Sequence, residues 1–380
     1  MPIKLKVART EKELDDVFRL RYDVYVSEKN KFSEKRTTSD GRIVDHFDSL
    51  PEVANVVAYD GDTAVASFRV NKDSVMGLVP EKYFDFTQVR ALIAQVSEGE
   101  APVPCIVSGS MLAIRKEWRH KRNVIFALFK KTTAVMCGWG ATHVFGAASA
   151  ETFSLYGRLG FNPTAGEEWV ESVGDNLIPM MAPFDKVFTW AFGQDPPARK
   201  QFWLNGSYVE SETLLLSPGE VLFNQGDAAG YAYSIEKGGV SISRQGADRK
   251  ELVIAQLGKG TLFGELAVLD EERQTATATA TMNTQITAIK RKQILDFTHR
   301  DNDKMDQLWC SSKEQKMCSA TRALKVGAGQ IAKRAAVGES EVRRVLGVRR
   351  TRGGLGCSDG MMHSLHTPSY DDLVSANAAQ

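Results

Sequence analysis

The spacing of apolar residues in the first half of the chain predicts strands that alternate with helices. Residues 3–7 alternate apolar and polar side chains, as a half-buried strand does. Residues 11–28 repeat apolar side chains at helical spacing. The other predicted elements are strands at 53–59, 63–70, 105–114 and 142–147 and helices at 123–139 and 151–159. This order predicts a mixed sheet covered by helices.

The second half has a different pattern, in which short apolar segments recur between glycine-containing turns. The predicted strands are residues 214–216, 221–223, 231–235, 240–244, 252–257 and 286–290. Even spacing of this kind is typical of a small antiparallel β-barrel or jelly roll. The fold class expected for the whole chain is therefore α+β.

Composition shifts suggest where the domains begin and end. Residues 193–200, GQDPPARK, contain two consecutive prolines and predict a linker between a domain at 1–192 and a second at 201–300. After residue 300 aromatic residues become sparse, and in residues 322–352 basic side chains far outnumber Glu339 and Glu341. We expect residues 301–380 to form a helical segment and a basic, partly disordered tail.

Composition and charge exclude several classes of protein. The 380 residues carry a net charge of +1, which does not indicate a dedicated polyanion binder. The five cysteines form no C-x-x-C pair, which argues against a disulfide framework and a structural zinc site, and we expect no metal. No apolar run approaches the length of a membrane span, and residues 1–10 lack a signal core. We therefore expect a cytoplasmic protein.

Several motifs in the first half resemble those of the GNAT superfamily of N-acyltransferases. Residues 155–161, LYGRLGF, resemble its LYxxLGF signature. Residues 20–25 (LRYDVY), 45–48 (DHFD) and 68–69 (FR) resemble its acyl-homoserine-lactone synthase and N-acyl amino acid synthase branch. The resemblance covers residues 1–192. It implies an enzyme that moves an acyl group from acyl-CoA or acyl-carrier protein to a small amine or amino acid.

The resemblance also assigns the donor-binding residues. In such folds the thioester donor lies in a splay between two parallel strands, and its phosphates meet the N-terminus of the next helix. The corresponding residues here are Val107, Ala113, Ile114, Arg119, Lys121, Arg122 and Asn123. Arg122 and Val124 occupy the glycine positions of the family pattern. The alternatives for this basic turn are docking of an acidic carrier protein and a purely solvated surface.

The catalytic assignment follows from the same motifs. Tyr156 matches the family tyrosine that protonates the departing thiolate, the alternative being an ordinary packing tyrosine. Four residues match positions that shape the acceptor side, namely Arg21, Asp45, Asp48 and Arg69. Ser108 and Met111 stand where the homoserine-lactone branch carries Glu and Arg. That departure argues against S-adenosylmethionine and towards an amino acid or another primary amine.

The second half, from about residue 202 to 297, resembles the cyclic nucleotide-binding domain family. The motifs 218–227, 231–238 and 263–267 occur in family order. The resemblance implies a phosphate-binding cassette for cAMP or cGMP made of Phe263, Gly264, Glu265, Leu266 and Ala267. In that cassette Glu265 would accept the ribose 2′-OH, and the chain would be regulated by the nucleotide.

One departure predicts a weakened nucleotide site. The family arginine that pairs with the cyclic phosphate is replaced by Gln274, although Thr275 and Ala276 match the family continuation. A neutral amide does not replace a charge-assisted bidentate contact. Arg273 would serve instead only if the preceding loop is one residue shorter, because neighbouring strand residues face opposite sides.

The basic C-terminal region offers a weaker resemblance. Residues 330–346 superficially resemble a bacterial helix-turn-helix, with Arg343 and Arg344 on its second helix. DNA would then be a partner, but a basic amphipathic helix or disordered tail is the favoured interpretation. Nucleotide sensors of this shape often pair through the helix after the barrel, which leaves a homodimer open.

Three functions therefore fit the sequence. The first is a nucleotide-regulated N-acyltransferase acting on a small amine. The second is a cyclic-nucleotide receptor or transcriptional regulator whose acyltransferase half is degenerate. The third is a nucleotide-regulated protein lysine acetyltransferase.

Overall fold

The computed structural model describes residues 2–32, 37–38, 40–96, 103–193, 207–245, 251–264 and 273–293. The first half contains the strands β1 (Ile3–Val7), β2 (Thr37–Thr38), β3 (Arg42–Ile43), β4 (Val53–Asp60), β5 (Thr63–Lys72), β6 (Ile106–Ile114), β7 (His143–Ser149), β8 (Asn162–Pro163), β9 (Glu168–Val170) and β10 (Asp175–Pro183). Its helices are α1 (Glu11–Tyr22), α2 (Thr87–Val96), α3 (Arg122–Gly138), α4 (Ala150–Gly157) and α5 (Phe184–Phe192).

Helix α1 shows how local sequence sets an element's start. The Thr10 hydroxyl accepts from the Glu13 amide at 3.3 Å, and the Glu13 carboxylate accepts from the Thr10 amide at 3.2 Å. This capping box satisfies amides that the first helical turn leaves unpaired. The predicted helix over 11–28 is not uniform, because it continues after Tyr22 as a π-helix over Asp23–Glu28. Such π-helical turns frequently occur at functional sites.

All first-half strands except β2 and β3, which pair only with each other, form one mixed sheet. Its strands lie in the order β1-β4-β5-β6-β7-β10-β8, and β9 pairs with β10. Antiparallel pairing prevails, but β6 and β7 are parallel and are connected by α3. Alternate residues of β4 face opposite sides: Val56 packs in the core that α3 covers, and Val57 in the core that α1 covers. Helices therefore cover both faces of the sheet, as the pattern predicted.

The second half contains the barrel strands. They are β11 (Glu212–Leu216), β12 (Val221–Phe223), β13 (Tyr231–Lys237), β14 (Gly239–Gln245), β15 (Glu251–Gly258), β16 (Leu262–Phe263), β17 (Thr277–Ala280) and β18 (Thr284–Lys290). A short helix, α6 (Ser207–Glu210), precedes them. One sheet has the order β12-β17-β14-β15 and the other the order β16-β13-β18-β11, all antiparallel. The predicted antiparallel β-fold is confirmed.

A feature that the sequence did not predict is that the two halves share a sheet. Strand β11 pairs antiparallel with β1, so that Ile3 lies opposite Leu215 and Leu5 opposite Thr213. The sheet order consequently runs without a break from β16 through β11 and β1 to β8. The barrel thus extends the acyltransferase-like sheet at its β1 edge.

Several predictions cannot be compared with the structure. Most of the predicted linker (194–200) and all of residues 301–380, with Arg343 and Arg344, lie outside the described residues. The domain boundaries stay a prediction. Among the described residues, no helix combines the length and the apolar character needed to cross a membrane.

Candidate functional site

The central feature of the first half is a cavity of about 180 Å³ between β6 and β7. These parallel strands pair only at Ile106–His143, Val107–Val144 and Ser108–Phe145. Beyond Ser108 they separate, and residues 109–112 of β6 and 144–149 of β7 line the space between them. The predicted splay is therefore present. Val107, Ala113 and Ile114 are buried at its flanks and do not line the cavity.

Two glycines keep the cavity walls open. A Cβ atom on Gly109 would lie 2.6 Å from Phe68 Cζ, and one on Gly146 would lie 2.9 Å from Met180 Cε. Either substitution would push a neighbouring side chain aside. Because Gly109 and Gly146 both line the cavity, both are candidate functional residues that the sequence motifs had not indicated.

The cavity wall on β6 is shaped by a β-bulge. Between Ser67–Ala113 and Arg69–Ser110 the pairing of β5 with β6 shifts by one residue, and Met111 takes a positive φ of 53°. The hydroxyl of Tyr25, from the π-helix, donates to the Leu112 carbonyl at 2.9 Å. A bulge re-aims the backbone next to it. Tyr25 thus fixes the bulged strand where it borders the cavity.

Tyr156 lies on α4 and lines the cavity. Its ring packs edge-to-face against Phe129 and Phe161, each at 5.7 Å between centroids. The residue is 8% exposed. Burial raises the pKa of Tyr156 well above its usual range, with a further contribution from Tyr25. A tyrosine is protonated at neutral pH even without this shift, so the phenol can serve as a proton donor, and the raised pKa makes it a weaker acid.

Charged side chains from two elements meet at the cavity lining. Lys29 and Lys31 follow the π-helix, and Asp175 begins β10. Lys31 forms an ion pair with Asp175. Partial burial lowers the pKa of Lys29, and the neighbouring charges of Lys31 and Arg119 lower it further. Among the described residues, Asp175 is the one carboxylate that lines the cavity.

The four predicted acceptor-side residues come together in one buried network. Arg21 donates through Nη1 to both Asp48 oxygens at 3.0 and 2.9 Å. Arg69 donates to both Asp45 oxygens at 2.7 and 3.1 Å, and its Nη1 lies 2.8 Å from Asp48 Oδ2. The adjacent arginine charge lowers the pKa of Asp45 although burial opposes this.

This network does not itself line the cavity. Arg69 Nε donates to Ser110 Oγ at 3.0 Å, and Ser110 is a cavity residue. The network therefore reaches the cavity through one hydroxyl. Both arginines are fully buried, which makes the four charges a rigid support for β5 and the 3-10 turn over His46–Ser49.

The basic turn before α3 is an exposed surface with internal partners. Arg119 donates through Nε to the Ile114 carbonyl at 3.0 Å and pairs with Glu28. Lys121 Nζ lies 3.7 Å from the centre of the Trp118 ring. Lys121, Arg122 and Asn123 are exposed at the start of α3. The helix has no acidic residue in its first turn and no side-chain cap.

The predicted nucleotide cassette is described only at its beginning. Phe263 ends β16 and stacks on Tyr233 with centroids 5.5 Å apart, and Gly264 takes a φ of 76°. Glu265, Leu266 and Ala267 lie outside the described residues.

The segment that directly precedes β17 shows which of the predicted residues are exposed and which are buried. Arg273 is exposed and donates to the Gly226 carbonyl at 2.8 Å, whereas Gln274 is buried. Thr275 is exposed and Ala276 is buried, so the alternation continues. Of the two side chains considered for the cyclic phosphate, the neutral Gln274 is the buried one and the charged Arg273 is exposed.

Comparison with known families agrees with both halves. Residues 16–183 match the family model of the N-acyl amino acid synthase FeeM, and residues 214–301 match that of the cyclic nucleotide-binding domain. The chain joins an N-acyl amino acid synthase domain to a cyclic nucleotide-binding domain. The solved structure of FeeM, from uncultured soil microbes, covers 50% of this chain and 97% of its own, with 13% identity and a TM-score of 0.40.

Two curated relatives are each similar to a part of this chain. A cyclic AMP receptor protein of Thermus thermophilus is 35% identical over 86 residues, which is 23% of this chain and 40% of that protein. The regulatory subunit of a type II cAMP-dependent protein kinase of Drosophila melanogaster is 48% identical over 63 residues, 17% of this chain and 16% of that protein. The chain therefore spans less than half the length of either relative.

The synthase domain also holds cavity residues to which the motifs had assigned no role. Tyr25, Lys29, Lys31 and Asp175 all border its cavity. Tyr25 is the last residue of the 20–25 motif, and the other three belong to no motif. Within the described part of the chain, no group of three or more His, Cys, Asp or Glu side chains is placed to hold a metal ion.

Proposed function

We propose that the protein is an N-acyltransferase that moves an acyl group from acyl-CoA or acyl-carrier protein to a small amine or amino acid, under control of its cyclic nucleotide-binding domain. The observation that carries the proposal is the cavity between the separating strands β6 and β7, with the protonated Tyr156 in its wall. The match of residues 16–183 to the N-acyl amino acid synthase family supports it.

The acyl chain would occupy the apolar part of the cavity. A cavity of about 150 Å³ is large enough to bind benzene, and this one measures about 180 Å³. Its size therefore accommodates a chain longer than an acetyl group. This favours acylation of a small molecule over acetylation of protein lysines.

The chemistry needs a polarised thioester carbonyl and a proton for the thiolate. Beyond Ser108 the side of β6 that faces β7 no longer pairs with it, so its backbone amides are directed at the splay. Amides held in this way stabilise the oxygen of a tetrahedral intermediate. The acceptor amine first forms the new C–N bond to the thioester carbon, and the C–S bond then breaks as the Tyr156 hydroxyl gives its proton to the thiolate. The Tyr156 phenolate regains a proton from the amine nitrogen.

The charges at the cavity lining fit an amino acid acceptor. Asp175 can bind the acceptor's ammonium group and take up a proton from it, and Lys29 and Lys31 attract a carboxylate. We assign Arg21, Asp45, Asp48 and Arg69 the role of supporting this side through Ser110. The basic turn with Arg119, Lys121, Arg122 and Asn123 would attract the phosphate of the donor or an acidic carrier protein.

The second domain would bind cAMP or cGMP at the cassette that starts with Phe263 and Gly264. Acyl-CoA, carrier proteins and cyclic nucleotides are all intracellular compounds, so we place the enzyme in the cytoplasm. Both curated relatives are named for cAMP, which favours cAMP over cGMP.

The test is acyl transfer by the purified full-length protein. Acyl-CoA and acyl-carrier protein of several chain lengths are offered with a panel of amino acids and simple amines, while free thiol and N-acyl product are measured by absorbance and mass spectrometry. We expect thiol release that depends on the acceptor and matches the product formed. Thiol release without N-acyl product, or none with any donor, would refute the proposal.

A further inference from the structure

The two domains are joined through one shared strand. Strand β11 lies between β1 and β18, and its side chains serve two cores. Leu215 packs in the core of the synthase domain, whereas Leu214 and Leu216 pack in the core of the barrel. A movement of β11 therefore changes the packing of both domains together.

A cluster of charged side chains lies at this junction. Lys130 Nζ of α3 lies 3.0 Å from Glu236 Oε2 of β13, whose side chain is only 2% exposed. Glu236 also accepts hydrogen bonds from Gln285 Nε2 at 3.0 Å and from the Thr287 hydroxyl. The adjacent Lys131 is fully buried and donates to the Ser211 carbonyl, directly before β11. A buried pair of this kind is costly to separate because each charge would lose its partner.

Helix α3 connects this cluster with the acyl cavity. Phe129, Thr132, Thr133 and Met136 line the cavity and lie within two turns of α3 that include Lys130 and Lys131. The helix thus contacts the acyl cavity on one side and the barrel on the other. Because a helix moves as a rigid element, a shift at its barrel contacts is transmitted to the cavity wall.

Strand β13 connects the cluster with the nucleotide cassette. Strand β13 carries Glu236 and pairs with β16, so that Tyr233 lies opposite Phe263. A Cβ atom on Gly264 would lie 3.1 Å from the Tyr233 ring, which shows how closely the start of the cassette approaches β13. A ligand that rearranges the cassette consequently acts on β13 three residues from Glu236.

We propose that Glu236 is a positioning residue through which the cyclic nucleotide-binding domain controls acyl-donor binding: it holds α3 by Lys130 and transmits the state of the cassette to the cavity wall. The inference rests on the proposed function and specifies its regulation. Coupling between two sites is reciprocal, and its typical size is about 5- to 150-fold in affinity. The nucleotide should therefore change donor affinity by the same factor by which the donor changes nucleotide affinity.

The experiment measures both affinities by calorimetry on the full-length protein. The probes are octanoyl-CoA or octanoyl-carrier protein without acceptor, each with and without saturating cAMP or cGMP, and the reverse titrations. The variants are Glu236→Gln and Lys130→Met, with Glu52→Gln as control because Glu52 pairs with Lys72 at 3.0 Å on the surface of the same sheet. Thermal unfolding checks that each variant is folded.

In the wild type and in Glu52→Gln we expect reciprocal shifts of about fivefold or more. In Glu236→Gln and Lys130→Met, the change that one ligand causes in the affinity of the other should fall below about twofold, while each ligand still binds alone. A general loss of stability does not produce this result. KM for the donor should change more than kcat.

Three results would overturn the inference. These are the absence of coupling in a wild type that binds both ligands, full coupling in both folded variants, and a wild type that binds the donor but neither nucleotide. If the wild type transfers acyl groups and only coupling is missing, the proposed function stands and the inference falls. If it transfers no acyl group from any donor, the proposed function itself is refuted, and the inference falls with it.

Discussion

Replacing Tyr156 by Phe separates the chemistry of this residue from its packing. The Tyr156 ring lies edge-to-face against Phe129 and Phe161, and a Phe ring keeps both contacts. The hydroxyl makes no hydrogen bond to another described residue, so its removal leaves no buried partner unsatisfied. We therefore expect the free energy of unfolding to change by less than about 1 kcal/mol.

The effect on turnover should be much larger. A positioned proton donor typically contributes about 10²- to 10⁴-fold, which corresponds to roughly 3–5 kcal/mol of transition-state stabilisation. Burial raises the pKa of Tyr156, so the lost group is a phenol that is protonated throughout the neutral range. Donor binding precedes C–S cleavage and should change little, which gives a lower kcat at nearly constant donor affinity.

The assay is steady-state acyl transfer at saturating donor and acceptor, together with direct titration of the donor. Tyr25→Phe is an informative companion, because Tyr25 also borders the cavity but its hydroxyl donates to the Leu112 carbonyl. It should lower donor affinity and stability more than Tyr156→Phe does. Unchanged kcat in folded Tyr156→Phe would remove the residue from the mechanism and leave it a packing tyrosine.

The remaining predictions concern the basic turn before α3, the nucleotide site and the buried Lys131. The double variant Arg119→Ala, Arg122→Ala should bind the donor more weakly at low salt but nearly as well as the wild type at high salt, since salt screens exposed charges. Donor titrations at two ionic strengths test this, with Lys12→Ala as the control for loss of an exposed charge elsewhere. Gln274→Arg should tighten cAMP binding roughly tenfold to a hundredfold in calorimetry, since a buried charge-assisted hydrogen bond contributes about 1.5–3 kcal/mol, and an unchanged affinity would contradict the assignment. Burial lowers the pKa of Lys131 to about 7 from 10.5, although Glu236 opposes this. Between these pH values the unfolded state binds more protons than the folded state, so the free energy of unfolding should rise with pH by up to about 1.4 kcal/mol per unit. In Lys131→Met, the free energy of unfolding measured by denaturant titration over the same pH range should not show this rise.

Local patterns predicted the elements that carry their own signal. Helix α3 was expected at 123–139 and occupies Arg122–Gly138, and the strand expected at 105–114 is Ile106–Ile114. Both have long apolar runs bounded by polar turns. The π-helix after Tyr22 was not predicted. It is so short that its apolar spacing departs from that of an α-helix by only one residue, which the sequence pattern does not reveal.

The candidate site was predictable only where a family motif lies on it. Tyr156 and the four residues of the arginine–aspartate network were found by motif. Asp175 was missed because its role depends on β10 reaching the cavity, a pairing between strands far apart in the sequence. Lys131 was missed for a similar reason, since two consecutive lysines in a helix are ordinarily solvated. Lys131 is buried where it donates to the Ser211 carbonyl, directly before β11.

The shared sheet decides how the protein should be dissected. Without the barrel, β1 would become an exposed edge strand, and such edges invite pairing with other chains. Leu215 would leave the synthase core, which costs about 1.5–3 kcal/mol for a fully buried side chain. Lys131 would lose its acceptor at Ser211, and Glu236 would lose Lys130. Cutting the chain between residues 193 and 207 therefore tests the stability of a damaged sheet rather than the function of either domain, and single substitutions in the full-length chain are the valid probes of both.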